Sequence, residues 1–249
     1  MHTMKYGRRL AAAALALSAM STLAACGSED SGKDSTAKAA DAAPAIDPGT
    51  KLSGDEAEKL IDTAVDAMPT VHVEIDVKAV EDGTAVSATT VGDYQTEPAA
   101  SHTKLTAEED GTPTVMELIS VGETTYLRMD DDKEWMKDDG MFSGMVSALM
   151  PSPFTLVDAV RGEVADDSTT YVGQEKVDGA DLAHYSFAVG EDVTGEGDGE
   201  LDGWFDADGR LTRLSLAMGE GNEINVDLSK HGEKVTITEP EAEALMDDA

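Results

Sequence analysis

The sequence predicts an α+β fold, in which a curved antiparallel β-sheet of about 10–12 strands is closed on one face by helices rather than by a second sheet. Three observations lead there. The hydrophobic period changes from helical to strictly alternating at Pro69. Asp-Gly pairs then recur between strand-like runs, at Asp82-Gly83, Asp110-Gly111, Asp178-Gly179 and Asp208-Gly209, and this dipeptide is the strongest short hairpin signal. Finally, alternation is lost between Met141 and Arg161, where one helical face becomes apolar.

The chain opens with Lys5, Arg8 and Arg9, an apolar stretch from Leu10 to Met20, and Leu23-Ala24-Ala25-Cys26. Basic, apolar and small residues in that order make a bacterial signal peptide over residues 1–25. The apolar run is shorter than the ~20 residues needed to span a bilayer. Its last four residues resemble a lipobox, which implies diacylglyceryl transfer to the Cys26 thiol and cleavage before it. The alternative is an ordinary secretory signal with an incidental thiol.

Residues 26–51 are rich in Ser, Gly, Ala, Asp and Pro and nearly devoid of large apolar side chains, so they form no core and are expected to be a flexible tether. A coil of that length has a reach of roughly 25–30 Å. The domain is expected to occupy residues 52–249. Ser53 and Glu56 match a capping box, and Ala57, Leu60, Ile61, Ala64, Val65 and Met68 form a helical stripe that Pro69 ends. Val71, Val73, Ile75 and Val77 then alternate with His72, Glu74, Asp76 and Lys78, the pattern of a half-buried antiparallel strand.

Strands are predicted at 71–80, 85–95, 101–107, 114–121, 124–129, 134–138, 168–177, 182–189, 201–206, 210–218, 223–229 and 235–238. A helical insert at 141–161 splits this meander. Its first half places Met141, Phe142, Met145, Val146, Leu149 and Met150 on one face; after Pro151 and Pro153, its second half carries Phe154, Leu156, Val157 and Val160. The acidic stretch from Gly190 to Glu200 is predicted to be a surface loop.

Composition excludes one partner class. The whole chain has a formal charge of −33, and removal of Lys5, Arg8 and Arg9 with the leader leaves 15 of the 18 Lys and Arg against 51 Asp and Glu, a charge of −36. Phosphate backbones are bound by Lys and Arg, so nucleic acid is not a partner. Anionic membrane surfaces repel such a domain, so attachment falls to the lipid on Cys26, whose buried methylenes contribute ~0.8 kcal/mol each. With that cysteine used, no internal disulfide is available.

Catalytic groups do not converge. His72, His102, His184 and His231 fall on polar strand faces or in turns and are expected to be solvated, and no Gly-x-Ser-x-Gly elbow occurs, so no enzyme is predicted. No cofactor is implied. Asp198 to Asp202 resembles the start of a calcium loop, but position twelve is Gly209 where a bidentate Glu is required. Asp130-Asp131-Asp132 with Asp138-Asp139 is either a solvated hairpin tip or a weak calcium site.

The candidates for binding are apolar. Met129, Met136, Met141, Met145 and Met150 place five adaptable thioethers close together, as core filling or as a ligand lid. With Met145, Leu149, Phe154 and Val157 of the insert, the strand residues Tyr185, Phe187, Leu214, Leu216, Ile224 and Val226 are candidate lining for an acyl-chain cavity. Aromatic residues are only 4% of the chain, which favours aliphatic ligands over stacked rings.

The order lipobox, tether, helix and meander is accompanied by several local signatures. Thr125-Tyr126-Leu127-Arg128-Met129-Asp130 with Glu134-Trp135-Met136-Lys137, then Val177-Asp178-Gly179-Ala180-Asp181, Asp202-Gly203-Trp204-Phe205-Asp206 and Ser229 to Ile237, resemble segments of the actinobacterial LppX/LprAFG lipoprotein family in the same order. The resemblance spans roughly residues 52–241. It implies a half-barrel similar to LolA and LolB, with helices against the concave face and an apolar cavity for acyl lipid or lipoglycan. Two functions are thereby expected: a membrane-anchored carrier that shields acyl chains on the outer face of the cell membrane, alone or with an envelope transporter, or a sensor or adaptor binding a protein partner.

Overall fold

In the computed structural model, residues 46–81, 84–109, 112–129, 132–138, 152–190, 199–217 and 222–246 are described. They contain one open antiparallel sheet of twelve strands. Its elements are β1 (Thr50–Leu52), α1 (Gly54–Asp66), β2 (Thr70–Glu81), β3 (Thr84–Gln95), β4 (Ala100–Glu109), β5 (Thr112–Val121), β6 (Thr124–Met129), β7 (Met136–Lys137), α2 (Pro153–Glu163), β8 (Thr169–Val177), β9 (Ala180–Val189), β10 (Gly199–Phe205), β11 (Leu211–Ala217) and β12 (Glu223–Ser229). A 3₁₀ turn follows at Ala242–Ala244.

The strand order is β1-β8-β9-β10-β11-β12-β2-β3-β4-β5-β6-β7. The chain therefore runs outward from β2 to β7, crosses to the opposite edge, and returns through β8 to β12, which lies beside β2. The curved α+β sheet expected from the alternation is thus the observed architecture.

Local chemistry sets the elements. Ser53 caps α1 with the full capping box: its side chain accepts from the Glu56 amide, and the Glu56 carboxylate accepts from the Ser53 amide at 2.9 Å. The Ser53 amide and the Ser53 hydroxyl, which donates to the same carboxylate at 2.7 Å, hold the exposed Glu56 carboxyl below its ordinary value. Ala57, Ile61, Ala64 and Met68 then bury one face of the helix. Asp178 and Gly179 both have positive φ, 50° and 89°, as the two-residue turn joining Val177 to Ala180 requires. Gly92 answers a different demand. A Cβ there would lie 2.7 Å from the Thr103 Cα, so only glycine permits the close approach of β3 and β4.

Three expectations are corrected. Thr50 and Lys51, read as the end of the tether, open the edge strand β1, which pairs with β8; Ile46, also read as tether, packs on the core. A three-residue edge strand has no periodicity of its own, and only its partner reveals it. Residues 235–238 are not a strand. They belong to a C-terminal strap that crosses the outer face of the sheet, where Ile237, Ala244 and Leu245 pack on Ile119, Tyr126 and Trp135. The 134–138 strand shortens to Met136–Lys137, because Trp135 instead pairs with that strap: its amide donates to the Ala244 carbonyl at 2.7 Å and its carbonyl accepts from Met246 at 2.9 Å.

Candidate functional site

Because paired residues in an antiparallel ladder share a face, the register identifies the concave surface. Across β12, β2 and β3 it carries Val226, Ile75 and Thr90 in one row and Leu228, Val73 and Gly92 in the next. On β4 and β5 the same face presents Thr103 with Leu118 and Leu105 with Met116, and β6 and β7 add Leu127 and Met136. Two apolar clusters therefore occupy one face.

The first cluster lies under α1 and α2 on β8 to β12 and β2, and takes in Leu52 of β1 and Tyr94 of β3. Six of the sequence-predicted cavity residues meet in it: Val157, Tyr185, Phe187, Leu214, Leu216 and Val226 are all buried, and Phe154 and Ile224 pack against it partly buried. The structure brings these eight together. The void between α1, α2 and the sheet is about 20 Å³, lined by Ile61, Val157, Val160, Phe187, Leu201 and their neighbours. That is the scale of one water molecule, against roughly 300–1,000 Å³ for ligand sites. Gly203 contributes to the close packing, since the Phe187 and Phe205 rings lie 3.1 Å from where its Cβ would be. Met145 and Leu149, the other two candidates, lie outside the described residues, as do Cys26 and the tether as far as residue 45.

The second cluster is Leu105, Leu118 and Leu127 with Ala88, Met116 and Met136 against them. Beside it, at the ends of β3, β4 and β5, a cleft of about 370 Å³ opens. Tyr94 and Phe154 form its apolar wall, their rings edge-to-face with centroids 6.3 Å apart, and Ser101, Ser120 and Ser152 contribute hydroxyls. Register places the pieces. Tyr94 pairs with Ser101 and Ser101 with Ser120, so all three share the concave face, two residues along the strands from Gly92, Thr103 and Leu118. Phe154 arrives from the first turn of α2, whose N-cap Ser152 accepts from the Phe154 amide at 3.1 Å. Burial pushes the Tyr94 hydroxyl up to about 12, so it stays neutral.

The frame that holds this cleft has counterparts among solved structures. LprF from Mycobacterium bovis matches with a TM-score of 0.52 at 18% identity, covering 77% of this chain and 99% of LprF. The fold is that of the LppX/LprAFG lipoproteins. The lipoprotein LppX from Mycobacterium tuberculosis matches with a TM-score of 0.51 at 16% identity, covering 75% of this chain and 100% of LppX. No protein-family model matches the chain, and no curated protein matches it by sequence. The half-barrel implied by the sequence resemblance is thus present, with α1 and α2 on its concave face.

On the outer face of this LppX-type sheet and in the turn after β12, the histidines are engaged by neighbours. His72 Nδ1 lies 2.7 Å from Asp93, His102 Nε2 lies 2.7 Å from Glu117, and His231 Nε2 lies 2.8 Å from the Leu211 carbonyl. His184 departs from the solvated expectation. It is buried, stacked on Trp204 at 4.4 Å, with Nδ1 3.0 Å from Glu175 and Nε2 2.9 Å from Asp202. The Trp204 indole N–H donates to Glu175 at 2.9 Å, and that bond together with His184 holds the Glu175 carboxyl below its ordinary value. Burial alone would raise Glu117, but Arg128 and His102 bond to it and bring it below its ordinary value. These groups fasten neighbouring strands. Among the described residues no cluster of His, Cys, Asp and Glu is arranged to hold a metal ion, and Asp130, Asp131 and Asp139 of the acidic turns lie outside them.

Sequence reasoning named Phe154 but missed Tyr94, Ser101, Ser120 and Ser152. A signal for Tyr94 existed. The Asp82-Gly83 dipeptide predicts that Glu81 pairs with Thr84, as it does, and counting back along both strands sets Tyr94 opposite Val71, whose face the alternation identifies.

Proposed function

We propose that this chain is a lipid-anchored protein of the outer face of the cell membrane that holds an acyl lipid in the cleft beside Tyr94 and Phe154 and shields it without catalysing a reaction. The observation that carries the reading is the cleft itself. At about 370 Å³ it falls within the range of small-molecule sites, its wall of Tyr94 and Phe154 continues the apolar cluster under the helices, and its lining carries no charged side chain, unlike the groove of about 340 Å³ lined by Asp178, Arg213 and Asp227; among the described residues the void between α1, α2 and the sheet is about 20 Å³. The lipobox-like run ending at Cys26 supports anchoring, and the excess of Asp and Glu makes the lipid the means of attachment. A fold shared with the lipoprotein LppX is consistent with both.

Native mass spectrometry of the full chain, extracted under mild conditions, tests the reading. A copurified mass series spaced by methylene units is expected. A chain that emerges empty, and stays empty after incubation with acyl lipid, would overturn it in favour of an adaptor that binds protein partners through a filled half-barrel.

A further inference from the structure

The cleft has a chemical bias besides its size. Among the residues that line it none is charged: the polar groups are Gln95, Thr96, Ser101, Ser120 and Ser152. The Tyr94 ring packs on Phe154, and its hydroxyl is neutral at physiological pH. Next in sequence to the lining residues Thr96 and Gly122 are two exposed acids, Glu97 in the β3–β4 turn and Glu123 in the β5–β6 turn. The whole chain adds a formal charge of −33. An anionic head group at this mouth would meet no Lys or Arg in the lining and would face like charge at the rim, whereas a hydroxyl-bearing head group finds the Ser101 hydroxyl together with the remaining hydrogen-bonding capacity of Ser120, which bonds Thr125 Oγ1 at 3.1 Å, and of Ser152, which accepts from the Phe154 amide.

We infer that the cleft selects lipids with uncharged, hydroxyl-bearing head groups and discriminates against anionic phospholipids, with the head group at the Ser101, Ser120 and Ser152 hydroxyls and the acyl part against Tyr94 and Phe154. The inference rests on the acyl-lipid reading above and adds the class of head group. Selection comes as much from repulsion at the rim as from contact within.

The test compares two probes with identical chains, dioctanoylglycerol and dioctanoylphosphatidylglycerol, titrated into the full chain. The neutral probe is expected to bind roughly tenfold or more tightly, and raising the salt concentration should narrow the gap by screening the anionic probe alone. Glu123→Lys, at an exposed turn position next to Gly122 and outside the lining, replaces an acid at the rim by a cation without filling the cleft. It is expected to strengthen binding of the anionic probe severalfold and leave the neutral one unchanged, with the melting temperature as the control for folding. Equal binding of both probes, or tighter binding of the anionic one, overturns the head-group inference and leaves the acyl-lipid reading standing. An affinity ratio that Glu123→Lys does not move removes the head group from this rim and overturns it as well. Binding of neither probe overturns the acyl-lipid reading and the inference together.

Discussion

The two halves of the concave face are built from one sheet with one alternation, yet they end in different states. Over β8 to β12 and β2, the helices α1 and α2 insert Ile61, Ala64, Val157 and Val160 between the strand side chains, and among the described residues the void left there is about 20 Å³. Over β3 to β7, the apolar cluster is small, Met129 is left 38% exposed, and a cleft of about 370 Å³ opens at the strand ends. Strand patterning decides which face is apolar. What covers that face decides whether it becomes core or site.

The sharpest way to break this comparison is to truncate one side chain in each half. Leu201, only 1% exposed and beside the small void, should cost ~2–5 kcal/mol as Leu201→Ala, because the closed interior cannot relax into the enlarged hole. Met136→Ala, at a partly buried position in the smaller cluster, should cost ~1 kcal/mol or less. Urea unfolding of both variants measures the difference. Similar losses would mean that the two halves are packed alike.

A smaller effect sharpens the comparison on the outer face, where each half has a carboxylate clamp. Glu117 joins Arg128 and His102 on β4 to β6, and Glu175 joins Trp204 and His184 on β8 to β10. Both carboxyls lie below the ordinary value of 4.5, so the folded state binds fewer protons than the unfolded one. Their contribution is complete above about 4.5 and is lost as the pH falls through the depressed folded values. Glu117→Gln should therefore cost ~1 kcal/mol at neutral pH, and Glu175→Gln, whose side chain is 43% exposed, ~0.5 kcal/mol. Melting temperatures followed from neutral pH into the acid range should show both variants converging on the parent protein. A gap that persists in acid would assign the loss to packing.

Much of the fold was legible in the sequence because its signals are local. The capping box at Ser53, the stop at Pro69, the Asp-Gly turns and the alternation along β2 each depend on residues within a few positions of one another. Elements that depend on distant partners were not. Strand β1 exists only against β8, and the 235–238 segment, although alternating, is drawn to the outer-face cluster around Trp135 instead of a ladder. The candidate site shows the same division. Alternation identifies Tyr185, Phe187, Leu214, Leu216 and Val226 as inward-facing, but whether an inward face is filled depends on helices whose placement is set by tertiary packing. The serines of the cleft carry no periodic signal, and their meaning comes from the β3-β4-β5 register that brings Ser101 and Ser120 beside Tyr94.

The central claim is that ligand occupies the cleft and not the helix-covered interior, and Ser101→Trp tests it most directly. The substitution adds an indole on the concave face between Tyr94 and Ser120, where about 370 Å³ is free, so the fold should accept the volume. Titration of parent and variant with dioctanoylglycerol, with melting temperature recorded alongside, is expected to show binding weakened roughly tenfold or more and a nearly unchanged midpoint. Unaltered affinity in a stably folded Ser101→Trp chain would contradict the account and return the site to another part of the molecule.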